Sequence, residues 1–423
     1  MKILNYLEDM VMNVVFVEAA PECVDLDALL GLSDVDLDAG TSVNIEVMSD
    51  DNVPVDEPHI KVPVKKLIDV LKVSSMISAA GENSFEGKVV VMKIEDGFVR
   101  FLLSDNKRNI EKRVDLINTE NQFTGTVAFS TSLLARLSKV CTSIFTLIER
   151  TEKNEADKEI KKYVLKIRGG EIYMDNINMS EDKFVKSYAD ASIKLFEKAE
   201  VSSIIKRLFS FASTSIKSGK NIDFVGKTVE AAPINSLAKV YTNNEYPTFK
   251  ISLTDAKILF TLCMSDGSDT IGINSNGKIF TGESFCFKTE SYPTSACAFD
   301  SVAERMFTGD NAVVDAQHLA QIADLSCGLD TSIGNLKFNY TSEGRVSCEL
   351  LTKRENSTLI IQGTSNTDLI PMENPIEIPS TNLKGALTIF PQETTLSMRV
   401  TPDGIALESG NVKVAVLGKN AGK

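Results

Sequence analysis

The residue types that could do chemistry are sparse in this chain and poorly spaced for it. Of the two histidines, His59 stands before an alternating run and His318 lies within a helical one; neither has an acidic or cysteine partner at ligand spacing. Both read as solvated or hydrogen-bonded side chains. No phosphate-binding G-x-x-x-x-G-K-[ST], dinucleotide G-x-G-x-x-G or nucleophile-elbow G-x-S-x-G occurs. The stretch "GINSNGKIFTG" is a hairpin turn, because no helix follows it to point backbone N–H groups at a phosphate. One string resembles the start of a calcium loop: "DVDLDAG" places Asp34, Asp36 and Asp38 at alternate positions. Its sixth position is Ala39, where the turn needs glycine, and its twelfth is Ile45, where a bidentate carboxylate belongs, so a solvated acidic segment is the better reading. The seven cysteines (Cys23, Cys141, Cys263, Cys286, Cys297, Cys327 and Cys348) are odd in number and never form C-x-x-C, as expected of reduced thiols in a cytoplasm. The expectation is therefore no catalytic residue, no metal and no cofactor. The sequons at Asn178, Asn339 and Asn356 carry no weight without a secretion signal.

With chemistry set aside, the arrangement of elements carries the information. The 423 residues supply enough apolar material for several cores, and 45 basic against 58 acidic residues give a net charge of −13. That balance repels nucleic acid unless the positive charge gathers on one surface. The opening "MKILNYLEDMVMNVVFVEAAP" is interrupted by Glu8 and Asp9 and has one lysine, unlike a signal peptide, and no run reaches membrane-spanning length.

A unit of strand, short helix and several strands recurs about six times. "HIKVPVKKLIDVLKVSSMIS" leads to "KVVVMKIEDGFVRFLLSDNKRNIEKRVDLI", with a turn at Asp96-Gly97, and "GTVAFSTSLLARLSKVCTSIF" leads to "YVLKIRGGEIYM". "SIKLFEKAEVSSIIKRLFSFAS" precedes "NIDFVGKTVEAAPINSLAKVYTN", "TFKISLTDAKILFTLCMS" precedes "DTIGINSNGKIFTGESFCFKTES", and "AVVDAQHLAQIADLS" precedes "GNLKFNYTSEGRVSCELL". The last unit is "IEIPSTNLKGALTIF" followed by "TTLSMRVTPDGIALESGNVKVAVLGKN". One such unit leaves a sheet face and strand edges uncovered, so units must pair. Pairing neighbours gives an α+β chain of three similar domains, 59–190, 191–300 and 301–423, after an acidic segment, 1–58, of unassigned role.

In this order of elements the chain resembles the bacterial-type DNA sliding clamp, the polymerase III β subunit, from residue 59 to the end. The local points are "IEIPSTNLKGALTIFPQETTLSMRVTPDGIALES" with "VKVAVLGKN" as the family's last unit, "VEAAPINSLAKVYTN" in the place of its T-D-G-H-R-L-A segment, and Tyr292-Pro293 as its aromatic-proline pair. In the second of these only Leu237 and Ala238 match; Pro233, Ile234, Asn235 and Ser236 replace the polar part, and Val414-Ala415-Val416-Leu417 replaces the family's ending. Divergence of this size points to a viral or otherwise remote member, such as a phage would encode. The resemblance implies a non-enzymatic homodimeric ring around double-stranded DNA, located in the cytoplasm or a host's cytoplasm. It also implies DNA polymerase and clamp loader as partners through short linear peptides, with Leu237, Tyr292, Pro293, Val414 and Val416 around the peptide pocket.

Helices lining such a ring need an apolar face toward the sheets and cations toward phosphate, without base contacts. The first is expected to bury Val64, Leu67, Ile68 and Leu71 and to present Lys65, Lys66 and Lys72; the second to bury Leu133, Leu134, Leu137 and Val140 and present Arg136 and Lys139. The third would bury Ile204, Ile205, Leu208 and Phe209 beneath Lys206 and Arg207; the fourth offers Lys257 and the last Lys384. The fifth has only Gln317, His318 and Gln321. Two other readings remain: a clamp-like monomeric adaptor in replication or transcription, and a structural protein built from duplicated α+β units.

Overall fold

The computed structural model describes residues 57–80, 88–105, 107–118, 120–141, 143–153, 158–167, 170–174, 176–177, 192–213, 221–233, 235–290, 300–329, 334–351, 356–390 and 393–419. The stretch holding Asp34, Asp36 and Asp38, and the Tyr292-Pro293 pair, lie outside these, as does the Val140 side chain. The described residues fall in two compact units, one of 57–75, 88–103 and 113–177, the other of 76–80, 104–112 and 192–419.

Seven helices are described: α1 (Val64–Ala80), α2 (Thr131–Val140), α3 (Lys198–Ser213), α4 (Leu253–Ser265), α5 (Asp300–Met306), α6 (Ala316–Leu329) and α7 (Ser380–Leu387). Each except α5 directly follows a strand and precedes a set of antiparallel strands, so the expected order of elements is present six times. The switch from strand to helix is made by local chemistry. Ser130 accepts a bond from the Leu133 N–H at 3.1 Å, and Ser252 from the Asp255 N–H at the same distance, satisfying amides that the first turn leaves without partners. Asp315 does the same for the His318 N–H at 2.6 Å.

In the first unit, His59–Pro63, Ile144–Lys153, Glu159–Ile167 and Gly170–Met174 form one antiparallel sheet in that order, and Val89–Glu95 pairs with Phe98–Ser104 and Gly125–Ser130 on its two sides. Gly97, at φ 80°, makes the first of these hairpins possible, since a side chain is disfavoured there. Arg150 crosses the four-stranded sheet to bind Glu57 and Glu171, at 2.8 and 2.6 Å, which lowers the pKa of both carboxyls.

The second unit is built on a sheet ordered Asn221–Ala231, Ser236–Ser252, Val412–Leu417, Gly404–Ser409, Thr395–Thr401, Ala312–Asp315 and Gly363–Thr364. A further sheet runs Asn356–Ile360, Val346–Leu351, Asn335–Tyr340 and Ile376–Pro379; a third joins Asn109–Lys112 to Phe285–Lys288, Ile279–Thr281, Thr270–Ile273 and Lys194–Glu197. The "GINSNGKIFTG" stretch is the expected hairpin, with Ile273 opposite Phe280. Its core stacks Phe224 on Phe249, with ring centroids 4.4 Å apart.

Candidate nucleic-acid and partner interface

Helices of the second unit lie side by side, α4 beside α3, α3 beside α7 and α7 beside α6. In α3, Val201, Ile204, Ile205, Leu208, Phe211 and Ala212 are buried, while Lys206 is exposed. Phe211 takes the inward place expected of Phe209, which is half-buried, because the helix runs on to Ser213 and its stripe continues at i+3 from Leu208. Arg207 lies beside a shallow cleft lined also by Glu200, Ser203, Ile204, Val240 and Asn411. Lys257 of α4 is half-buried and Lys384 of α7 is exposed. The Lys384 ammonium sits 2.8 Å from Asp324 of α6, whose hydrogen bond raises its pKa.

In the first unit, Ser74 of α1 bonds Thr131 at the start of α2 at 2.9 Å, which fixes the two helices together. Lys65, Lys66, Arg136 and Lys139 are exposed, and among the described residues no carboxylate is ion-paired to them. Lys72 lies 3.7 Å from Asp69, one turn earlier. Ile68, expected inside, is 37% exposed; Val70, Val73 and Ile77 join Val64, Leu67 and Leu71 in the core instead. The apolar stripe is therefore centred one residue round from the expected line.

Of the residues expected at the peptide pocket, Leu237, Val414 and Val416 are described; all three are buried, and they lie on two faces of one sheet. Leu237 is directly opposite Ala415, whereas Val414 is opposite Ala238 and Val416 opposite Ser236. Alternation puts Val414 and Val416 on the face of Val240, which packs toward Ile204 of α3. Leu237 faces the other way, into a cluster with Ala406, Ala415 and Leu417, closed by Ala303 and Met306 of α5. Helix α5 lies in a stretch, 293–311, whose sequence pattern is weak; its one signal is the spacing of Ala303, Met306 and Phe307 at i, i+3 and i+4.

A second feature had no sequence signal at all. Arg108 is buried between Asp105, at 2.9 Å, and Asp255, at 2.5 Å, and Asp255 also accepts the Ser252 hydroxyl. Burial pulls the Arg108 pKa down, but the two carboxylates more than offset it and leave it raised. The group ties the loop at 105–108 to the start of α4 across 147 positions of sequence, and thereby sets where Lys257 stands. Nearby, Lys112 donates to Ser284 at 2.7 Å, and Ser284 donates to Asp266. Among the described residues no group of histidine, cysteine, aspartate and glutamate could hold a metal, and no helix is long and apolar enough to cross a membrane.

This architecture is the DNA-clamp fold, an α+β arrangement of repeated strand, helix and strands units. The chain is similar to the DNA polymerase III β chain of Streptococcus pneumoniae, with TM-score 0.67 and 14% identity over 86% of this chain and 100% of that one. It is similar to the DNA polymerase sliding clamp of Pseudomonas aeruginosa, with TM-score 0.65 and 13% identity over 86% and 99%, and equally to a putative DNA polymerase III β subunit of Eubacterium rectale, with TM-score 0.65 and 12% identity over the same shares. No protein-family model and no curated protein matches the sequence.

Proposed function

We propose that this chain is a non-enzymatic sliding clamp that encircles duplex DNA and tethers a DNA polymerase to it. The observation that carries the reading is the clamp fold over 86% of the chain, met by chains called polymerase III β subunits and sliding clamps over nearly all of their own length. Support comes from the cations on α1, α2, α3, α4 and α7: Lys65, Lys66, Lys72, Arg136, Lys139, Lys206, Arg207, Lys257 and Lys384, in a chain of net charge −13. A closed ring need hold phosphates only weakly, so a few unpaired cations suffice, and the acidic remainder discourages nonspecific adhesion.

Two chains closing head to tail form a ring, the edge strands Gly170–Met174 and Asn356–Ile360 pairing between chains. Tyr173 and Ile360, 56% and 44% exposed, then become covered. Polymerase and loader dock through short peptides on the face of Leu237, with Tyr292 and Pro293 proposed beside it and Val414 and Val416 on the sheet's other face, within three domains bounded as 59–190, 191–300 and 301–423. The test is sedimentation equilibrium followed by retention on circular and linearised DNA after loading. A dimer kept on circles and lost from linear ends is expected; a monomer indifferent to DNA topology refutes the ring and favours an adaptor.

A further inference from the structure

Helix α5 and the residues after it lie as a strap across the face of the seven-stranded sheet that carries Leu237. Ala303 and Met306 are fully buried there, and Phe307 packs at the edge of the same cluster. Gly404 makes the room: a Cβ on it would stand 2.9 Å from the Met306 methyl. The remaining attachments are on the rim. Glu304 is 3.7 Å from Lys239, which also lies 3.5 Å from Glu230, and Arg305 is 3.8 Å from Asp403. Lys413 lies 5.3 Å from the Phe307 ring centroid, and Arg399 donates to the Gly309 carbonyl at 3.2 Å.

Such a strap is weakly held for its position. Seven residues make two turns, far short of a helix that is stable by itself, so α5 persists only through what it covers. Its two ion contacts are long, and the Glu304 and Arg305 side chains are 69% and 71% exposed, which makes them minor. Beneath it, the apolar surface of Leu237, Ala406, Ala415 and Leu417 belongs to paired strands and stays in place when the strap lifts. On the strap's side, Val302, Ala303, Met306 and Phe307 are the apolar side chains that must leave.

We infer that the strap Asp300–Phe307 is a built-in competitor: it occupies a preformed peptide-docking face and yields it to a partner segment of the same chemistry. The strap is the template for that partner. A small residue, an acidic neighbour that meets Lys239, and a pair of large apolar residues three and four positions on would reproduce Ala303, Glu304, Met306 and Phe307. Because the strap is covalently attached, it acts at a high effective concentration, and the apparent affinity for a partner falls by the fraction of chains in which the face is open. This rests on the reading of the chain as a partner-binding clamp, and adds that its docking site is normally self-occupied.

The probe is a fluorescein-labelled peptide of residues 300–309, "DSVAERMFTG", titrated against the full-length protein by anisotropy. Removing the anchors with Met306→Ser and Phe307→Ser should tighten peptide binding by about tenfold or more over wild type. Adding Leu237→Asp should abolish it, with circular dichroism melts confirming that each variant is folded. Equal binding to wild type and the double variant, or binding to neither, overturns the inference. Hydrogen exchange on the wild-type protein gives a reading free of any variant. The Phe307 and Thr308 amides, bonded to Glu304 and Arg305 at 3.1 Å, should exchange through local opening, well before those of Val412–Leu417. Equal protection of the two segments also overturns it. Neither readout uses DNA or a ring, so a monomer in sedimentation would refute the ring and leave this result to stand or fall separately.

Discussion

Replacing Lys65, Lys66, Arg136 and Lys139 together with alanine should flatten the salt dependence of duplex binding by an amount the structure sets. All four are exposed on the α1 and α2 pair, and among the described residues none is ion-paired to a carboxylate, so each is available to one phosphate. Each phosphate neutralised contributes about 0.9 to the slope of log affinity against log salt. Four lost contacts lower the slope by about 3.6 per chain, so a fourfold rise in salt weakens the wild type by about 150-fold more than the variant. The assay is anisotropy of a labelled duplex titrated from low to moderate potassium chloride. Lys384→Ala is the internal control: Asp324, 2.8 Å away, already neutralises that ammonium, so its replacement should move the slope least among single replacements. A fourfold variant with the wild-type slope would refute the assignment of these helices to phosphate, and a Lys384→Ala slope that falls by a full contact would show that Asp324 does not hold that ammonium back from DNA.

Asp255→Ala should destabilise the second unit by about 3–5 kcal/mol in a thermal melt, because it strands the buried Arg108 with Asp105 alone; an unchanged melting temperature would mean the guanidinium is not desolvated. Asp223 faces Lys250 at 3.6 Å, but burial pushes its carboxyl up from 3.8 to about 6. Its protonated form is thus favoured by folding, and that stability, present in full below about pH 4, is lost as pH rises through 6. The loss is at most about 3 kcal/mol, and Asp223→Asn should remove this part of the pH dependence of denaturant midpoints. Gly277→Ala should cost about 2 kcal/mol or more, since φ is 63° and the new Cβ meets the Phe249 ring; chemical denaturation measures it, and a neutral result would contradict the Phe224 and Phe249 stack. Thr358→Pro removes an edge N–H from Asn356–Ile360 and should shift sedimentation from dimer toward monomer, while a wild-type dimer would exclude this strand from the contact.

What the sequence determined by itself was the order of elements. Alternation in runs such as "VKVAVL" and i, i+3, i+4 stripes such as Leu134 with Leu137 are local signals, and six repetitions of the same local order define the clamp fold almost without sequence identity. The exposed cations were legible for the same reason: a helix's outer face is fixed by its inner one, with an error of about one position at Ile68 and at Phe209. Tertiary structure alone decided the rest. It placed Asp324 against Lys384, joined Arg108 to Asp255 across 147 residues, and divided Leu237 from Val414 and Val416, because strand register, not residue type, chooses the face. It also laid α5 over Leu237. Seven residues with one small and two large apolar side chains carry too little pattern to announce a helix, and they form one only because a sheet face, assembled from strands more than sixty residues away on one side and about a hundred on the other, is there to receive them.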